Sequence, residues 1–569
     1  MEVQEDFASV VRARLEACGV ADACSGLELR RYASAPADAV VFFHEPDLLS
    51  GPGGAEVIRA LSGDGLATVT RQRGGALTLR LDDALVRAAG AALERGVMPR
   101  GRPRGGTCIV NFIDPNAVKA LHIGHLRNVV YGHAIASVLA AAGTRVMRHS
   151  LVCDIGRTIG EMLAGYEQYG ELEGAGSGRK SDHVIGACYA RYVHERFAGQ
   201  TDRATPSSLE TREDRVVHDP AEAYAHRWQQ GDARTRELWS RAVAGVLDGH
   251  RTTLERLGVR LDRSLYQSQA VEESRALIRQ GLESGCFSRT PDGAVIYRSG
   301  REEYDTMVLV RTDGLATEYG RCIGMLDHFA TRYLDGIDYV LFIVGDEWRP
   351  ATDLYEEILY RLTPSPVFRR SSHLYHGMVL VEGSKMRSSD GKAILVDELL
   401  DQVEREPKVQ ALVARAEGAI SAAEAADFVV RAPFLARKPH QTIEFSWDRL
   451  LSETDNPGWT LARAFAALSA AARRDASPPA DPRAYRLAVF EAHRFASLVD
   501  YAARDRSVTG LMAGVRRISE RYQGDDVPAG EARVMRTTLL AYYRSLGFLA
   551  GDRAGQPVSR AAPELEAAA

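Results

Sequence analysis

The spacing of apolar residues changes character three times along the chain. Over the first hundred positions, Phe7–Cys18 and Asp82–Arg95 carry apolar residues at helical spacing. Ala39–Phe43, Gly65–Thr70 and Ala76–Arg80 are short apolar or alternating runs that predict strands. A basic connector rich in glycine and proline, Val97–Gly106, closes this unit. From 107 to about 400 strands and helices alternate. The apolar run Cys108–Ile113 is followed by a helical run, Leu126–Ala142, and then by a strand at Arg145–Val152. A polar break at 170–180 opens an insertion, expected to be mostly helical over about 170–300, with a surface loop at 199–220 and helical periodicity at 221–257. Ile337–Val344 is a core strand with Thr352–Leu362 as its helix, and His376–Val381 is a last short strand. This alternation predicts an α/β fold with a doubly wound parallel sheet of Rossmann type. Beyond 400, the runs 409–417, 460–473 and 485–505 predict an all-helical unit, with a linker at 476–482 and a disordered tail of about fifteen residues. Three units follow: a small α+β unit at 1–100, the α/β unit at 104–400, and the helical unit at 401–569.

Composition narrows the class more than the activity. A chain of 569 residues is too long for one core. Its 45% apolar and 26% charged content is that of an ordinary globular protein. The acidic start, Met1-Glu-Val-Gln-Glu-Asp, has no apolar stretch of signal length. No run of about eighteen apolar residues predicts a membrane span, so the expected location is cytoplasmic. Seven cysteines, odd in number and without a C-x-x-C spacing, fit reduced thiols better than a disulfide scaffold or a zinc module. A net charge of −5 neither indicates nor excludes a nucleic-acid partner, because a local basic patch decides that. Only six of 71 basic residues are lysines, at 119, 180, 385, 392, 408 and 438. Where arginine is the default, a retained lysine suggests that a compact ammonium is needed.

Two of those lysines lie in motifs. Asn116-Ala-Val-Lys119-Ala-Leu-His122-Ile-Gly124-His125 joins the Cys108–Ile113 strand to the following helix. A helix start offers unpaired N–H groups and partial positive charge to phosphates. His122 and His125, three apart, share one face of its first turn, and Gly124 lets a base or ribose approach the backbone. The second motif, Gly383-Ser-Lys385-Met-Arg387-Ser388-Ser389-Asp-Gly391, is a small, polar, basic loop able to present Lys385 to a triphosphate. Each motif alone is weak: histidines cap helices, and Ser/Gly loops are commonly solvated turns.

Together, some 260 residues apart, the motifs resemble those of class I aminoacyl-tRNA synthetases, and within them the arginyl-tRNA synthetase family. Pro115-Asn116-x-x-Lys119, Val152–Gly160, His376-Gly-Met378-Val, Val396–Leu400 and Phe445–Phe465 are similar to segments of that family, so the likeness runs nearly end to end. The N-terminal unit resembles its tRNA-elbow domain and the helical unit its anticodon-binding domain. The resemblance implies ATP-dependent formation of an aminoacyl adenylate and transfer to an acceptor, normally tRNA, by a monomer. Mg²⁺ arrives with ATP, and the protein supplies no metal site of its own. His122 and His125 would face the α-phosphate, and Lys385 and Lys119 the β- and γ-phosphates. Gly124, Gly345, Asp346, Met378, Arg387 and Ser388 would frame the rest of the nucleotide.

The amino-acid pocket implied by the resemblance comprises Asn111, Asn116, Asp154, Leu315, Tyr319 and Val344, and here the sequence departs from the family. Asn111 stands where the family has an acid for the guanidinium. Anchored on Thr317, Leu315 and Tyr319 stand where it has a tyrosine and an aspartate four apart. Ser389 and Asp390 replace later basic positions of the lysine loop, and Ile155 and Thr158 replace a tryptophan and a glutamine. A buried guanidinium without a carboxylate costs several kcal/mol. The departures therefore point to a pocket altered away from arginine, and two alternatives stay open. One is a paralogous ligase that passes a neutral amino acid to a small-molecule acceptor. The other is a non-catalytic tRNA-binding relative, against which the retained His122, His125, Lys119 and Lys385 argue.

Overall fold

The computed structural model describes residues 6–18, 24–29, 39–43, 52–63, 66–73, 76–101, 103–174, 178–197, 220–301, 305–363, 370–381, 384–385, 393–474, 481–524 and 526–550. The N-terminal unit comprises α1 (Phe7–Ala17), β1 (Cys24–Leu29), β2 (Ala39–Phe43), α2 (Pro52–Ser62), β3 (Ala67–Arg73), β4 (Ala76–Leu81) and α3 (Asp83–Glu94). Its sheet is antiparallel in the order β1-β2-β4-β3. Asp6 and Asp82 cap α1 and α3 by accepting from backbone amides of their first turns.

The central unit begins with β5 (Thr107–Asn111), α4 (Ile123–Ala141) and β6 (Arg145–Val152). Helices α5 (Arg157–Tyr169), α6 (Ser181–Phe197), α7 (Pro220–Gln230) and α8 (Ala233–Arg256) lead to β7 (Arg263–Tyr266) and α9 (Val271–Glu283). A small antiparallel sheet of β8 (Phe287–Arg289), β9 (Val295–Arg298) and β10 (Thr306–Val310) follows. Then come α10 (Glu318–Arg332), β11 (Tyr339–Gly345), α11 (Arg349–Leu362), β12 (Ser371–His376), β13 (Val379–Val381) and β14 (Ser384–Lys385). The main sheet is parallel throughout, in the order β12-β11-β5-β6-β7. The order reverses at β5, so the C-terminal ends of β5 and β11 open a crevice of the kind in which doubly wound sheets bind ligands.

The helical unit runs through α12 (Val396–Arg405), α13 (Pro407–Arg415), α14 (Ala422–Leu435), α15 (Trp447–Leu450), α16 (Pro457–Ala471), α17 (Pro482–Asp505), α18 (Thr509–Arg521) and α19 (Ala529–Ser545). It is not wholly helical: β15 (Ile443–Phe445) lies parallel to β13 and so joins this unit to the crevice. Two further additions to the sequence reading are also strands. The insertion contains β7, β8 and β9 besides its helices. Strand β12 is an edge strand with only partly buried positions, Ser-Ser-His-Leu-Tyr-His, and so has no apolar run to announce it.

Helix α4 is the centre of the molecule. Its residues Leu126 to Leu139 are buried almost without a break except Asn128, as expected of a helix covered on all sides rather than an amphipathic surface helix. The core around it is continuous with that of the N-terminal unit and the helical bundle. Gly132 makes this approach possible, since a Cβ there would lie 2.4 Å from Cβ of Phe112. The N-terminal unit docks on α17: the Phe7 N–H donates to His493 Nδ1 at 3.1 Å, and Arg486 pairs with Asp83 at 2.6 Å. No helix among the described residues is long and apolar enough to cross a membrane. Cys18, Cys108, Cys153, Cys188, Cys286 and Cys322 are free thiols.

Close packing of α5 on α7 gives the fold a test. A Cβ at Gly160 would lie 2.0 Å from the Ala221 carbonyl oxygen, a backbone atom that cannot rotate away. Gly160→Ala is expected to destabilise the protein by about 1–3 kcal/mol through overpacking, seen as a lower midpoint in thermal unfolding. An unchanged midpoint would mean that the two helices part freely.

Candidate active site at the strand-to-helix crevice

Strand β5 ends in a turn that sets the geometry of the crevice. Ile113 adopts a left-handed backbone (φ 59°), strained for a β-branched residue. Three bonds hold it there. Its N–H donates to Asn128 Oδ1 at 2.9 Å, Ser150 Oγ donates to its carbonyl at 2.6 Å, and Asn128 Nδ2 donates to the Ile343 carbonyl at 3.0 Å. Beyond it, Asn116 bridges to Cys153 at the end of β6, with the Ala117 N–H on the Cys153 carbonyl at 2.9 Å.

The following turn places His122 at the N-cap of α4. Its Nδ1 accepts from the Gly124 N–H at 3.1 Å, while His125 Nδ1 accepts from the His122 N–H at 3.2 Å. The rings stack with centroids 3.9 Å apart. With Nδ1 accepting in both, the proton of each neutral imidazole resides on Nε2. Burial, reinforced by Lys119, pushes the pKa of His122 down to about 3. Burial also holds that of His125 well below its ordinary value, helped by His122, Lys119 and His250. Both side chains are therefore uncharged N–H donors. Gly124 has a use other than the one expected: a Cβ there would meet His122 Cε1 at 2.9 Å, so the glycine makes room for the histidine to fold back. Lys119 stands beside them with its pKa lowered by burial to about 8.

These residues line a cavity of about 420 Å³. The structure brings Lys119, His122, Gly124, His125, Asn116, Val344, Gly345 and Met378 together on its wall. Lys385 is described only through its backbone, which pairs with Leu380 one hairpin away from Met378. Arg387 and Ser388 lie outside the described residues. The chain leaving that loop returns to the crevice: the Ile123 N–H donates to the Ile394 carbonyl at 3.0 Å and the Val396 N–H to the Leu121 carbonyl at 2.9 Å.

Five expected residues are not on this wall. Asp346 points away to Arg349, whose Nη2 donates to it at 2.9 Å, and Glu347 lines the cavity instead, folded over Gly345. Asp154 is fully buried under Ser268, accepting from its N–H at 2.9 Å and its Oγ at 2.5 Å, so it fastens a turn. Leu315 and Tyr319 face a second cavity that meets the first at Thr158 and Glu318. The cause is the phase of α10, which Thr317 caps through Gly320 N at 3.1 Å. One helical face then carries Glu318 and Cys322, four apart, to the first cavity, and Tyr319 lies about 100° round.

Asn111 is fully buried behind the wall. Its Nδ2 donates to Asp114 at 2.8 Å and its Oδ1 meets His149 Nδ1 at 2.9 Å. Asp114 itself lines the cavity, and the sequence reading missed it. Its only local signal is an acid directly before Pro115-Asn116 at a strand end. Although the Asp114 side chain is open to the cavity, the protein atoms crowded round its carboxyl push the pKa up to about 7, against the lowering effect of the Leu151 N–H and Asn111. Asp114, Cys153, Glu318 and Cys322 are electrostatic neighbours, with the Arg321 guanidinium beside Glu318 and the two thiols, and Lys119, His122 and His125 form a second such group. The cavity thus has a donor-rich group and an acid-and-thiol group. Among the described residues no three His, Cys, Asp or Glu side chains are arranged to hold a metal ion.

The raised Asp114 pKa fixes the sign of one pH effect. Between 3.8 and about 7 the folded protein keeps a proton that the unfolded chain releases. The stability linked to this group is complete below pH 3.8 and is lost as the pH rises to 7. In Asp114→Asn the thermal midpoint should depend less on pH across that window. An unchanged slope would show that Asp114 is already ionised in the cavity.

The model of the catalytic domain of class I (R) tRNA synthetases matches residues 93–432. The arginine–tRNA ligase of Amoebophilus asiaticus is 29% identical over 313 residues, covering 54% of this chain and 51% of that protein. That of Bacteroides thetaiotaomicron is 29% identical over 304 residues, 52% of this chain and 49% of that protein. The chain therefore spans about half the length of the curated relatives it matches. In fold it is similar to the arginyl-tRNA synthetase of Thermus thermophilus, with a TM-score of 0.66 at 21% identity over 95% of this chain and 97% of that one. It is also similar to that of Plasmodium falciparum, with a TM-score of 0.62 at 12% identity over 96% and 98%.

Proposed function

We propose that this chain, which belongs to the class I tRNA synthetase (R) family, activates a basic amino acid with ATP and transfers it to tRNA. In the first step the amino-acid carboxylate attacks the α-phosphorus of ATP and pyrophosphate leaves. In the second, a hydroxyl of the terminal ribose attacks the adenylate carbonyl and AMP leaves. Neither step needs a nucleophile from the protein, so catalysis consists of positioning and charge stabilisation. The Nε2–H groups of His122 and His125 donate to the α-phosphate oxygens as charge builds there. Lys119 carries the charge facing the outer phosphates, with Lys385 as the second lysine of this reading. Phosphate binding stabilises the ammonium of Lys119 and so offsets its burial. Mg²⁺ enters as the counter-ion of the nucleotide.

One observation carries the choice of a basic substrate: Asp114 and Glu318 both line the cavity. The argument for a neutral amino acid rested on Asn111, Leu315 and Tyr319, and none of these lines that wall. A cationic side chain among Asp114, Cys153, Glu318 and Cys322 would meet two carboxylates whose pKa values burial has raised. Such a cation would draw both back to the ionised form.

ATP–pyrophosphate exchange over all amino acids, with and without total tRNA, tests this reading. Arginine or another basic amino acid is expected to support exchange. Glu318→Gln should then lower kcat/KM by about a hundredfold or more, because the substrate cation loses a partner inside the cavity. Exchange with a neutral amino acid alone would overturn the basic substrate. If no tRNA were charged with that amino acid, transfer to a small molecule would take its place. No exchange under any condition would leave only a binding role.

A further inference from the structure

Lys180 is one of the six lysines, and the chemistry above leaves it unused. Its ammonium has three acceptors: Asp182 Oδ2 at 3.0 Å, Thr253 Oγ1 at 2.5 Å and Asp397 Oδ2 at 2.6 Å. An ammonium has three donors, so this set saturates it, and the planar fork of an arginine does not match the arrangement. Asp397 is the hub. Its Oδ2 also accepts from Thr253 Oγ1 at 2.8 Å and lies 3.3 Å from His183 Nε2, while its Oδ1 accepts from Arg256 at 3.0 Å. Although burial acts to raise the carboxyl pKa, bonds from His183, Lys180 and Thr253 hold it well below the carboxylate range.

The position of this hub matters more than its strength. Asp397 is the second residue of α12 and directly follows Val396, whose N–H bonds the carbonyl of Leu121. On α8, the last two turns carry Thr253 and Arg256 together with His250, whose Nε2 contacts the Lys119 carbonyl at 2.7 Å. Helix α6 completes the arrangement. A Cβ at Gly186 would lie 3.0 Å from Cβ of Lys119, and one at Gly249 of α8 would lie 2.1 Å from the buried Asp182 carboxyl carbon. One ionic cluster therefore ties both strands of the 121–123/394–396 pairing to the two helices behind Lys119.

We infer that Asp397 is a positioning residue for amino-acid activation: with Lys180, Thr253 and Arg256 it holds Lys119 and the His122 turn in register. The inference rests on the activation chemistry proposed above. Its test combines one measurement that depends on that chemistry with one that does not. In the full-length chain, the single-turnover burst of adenylate formation is followed with ATP and whichever amino acid the wild type activates. Asp397→Asn is expected to slow the burst by about a hundredfold, the scale of a misplacement near 1 Å. Its amplitude should remain near one per chain and the amino-acid KM nearly unchanged. Lys180→Arg should behave alike, because charge without geometry does not restore the cluster. Arg251→Ala, on an exposed face of α8, should match the wild type.

In parallel, hydrogen exchange of the Ile123 and Val396 amides should quicken at least about tenfold in Asp397→Asn. A burst of wild-type rate, with or without lost amplitude, overturns the inference, since a merely structural residue changes only the active fraction. So does a slow burst with both amides still protected, because the effect then bypasses the turn. If the wild type activates no amino acid, the functional proposal fails by itself and the two amides alone decide this one: faster exchange supports the clamp, unchanged exchange removes it. Should Asp397→Asn not fold, Thr253→Val, which deletes one donor, carries both measurements.

Discussion

The interaction on which the rest of the structure depends is the buried guanidinium of Arg127, in the second turn of α4. Its Nη1 donates to the Met378 carbonyl at 3.0 Å, and its Nη2 donates to the carbonyls of Pro439 at 2.7 Å and Gln441 at 2.5 Å. Burial lowers its pKa to about 10, which still leaves it charged. Hydrogen bonds from a charged donor contribute about 1.5–3 kcal/mol each, and a buried guanidinium left without them would cost more than it gives. The three carbonyls come from segments more than sixty residues apart. Arg127 thus forces β13, the approach to β15 and helix α4 to meet at one place. The backbone pairing of Leu121 and Ile123 with 394–396 adds the fourth segment.

With the walls fixed in this way, the crevice has few charges of its own around His122 and His125. Both histidines are neutral donors, held so by burial and by the amides on their Nδ1 atoms. Lys119 is a cation whose hold on its proton burial has weakened. On the opposite side Asp114 has taken up a proton tendency foreign to an ordinary carboxylate. A pocket of this kind is costly to charge and becomes favourable when a ligand supplies the opposite charge. In the function proposed above, polyphosphate would do so at one end and a cation at the other. Preorganised neutral donors serve a developing oxyanion well, because they need no reorganisation as charge appears.

What could be read from the chain follows how local the controlling interaction is. The turn from Asn116 to His125 was legible because strand, turn and helix start are set by neighbours within ten residues. The parallel sheet was legible because β5 and β11 are apolar runs between helical ones. Strand β12 escaped because an edge strand needs no apolar face, and β15 because three residues carry no periodicity. Asp346 lies off the cavity wall and Glu347 on it because in a short helical turn a step of one residue swings the side chain by more than 90°. Leu315 and Tyr319 lie on the second cavity for a related reason: Thr317 caps the helix, and the face presented to the first cavity begins one residue later. Lys180 and Asp397, 217 positions apart, share no local signal at all.

Asn111 shows how one residue reads differently in the chain and in the fold. Read as the replacement of an acid, it suggested a pocket emptied of charge. In the fold its amide is a spacer: the nitrogen donates to Asp114 and the oxygen meets His149, so neither end is left for a substrate. An ionised carboxylate at that depth would face another one at hydrogen-bonding distance, a pair that cannot both stay charged. Placing the acid three residues on, past the left-handed turn at Ile113, brings it to the wall of the cavity. Leu151 and Asn111 then donate to it without neutralising it. The strain at Ile113 is what turns the chain from β5 into that wall, and the asparagine behind it is what lets a single acid stand there.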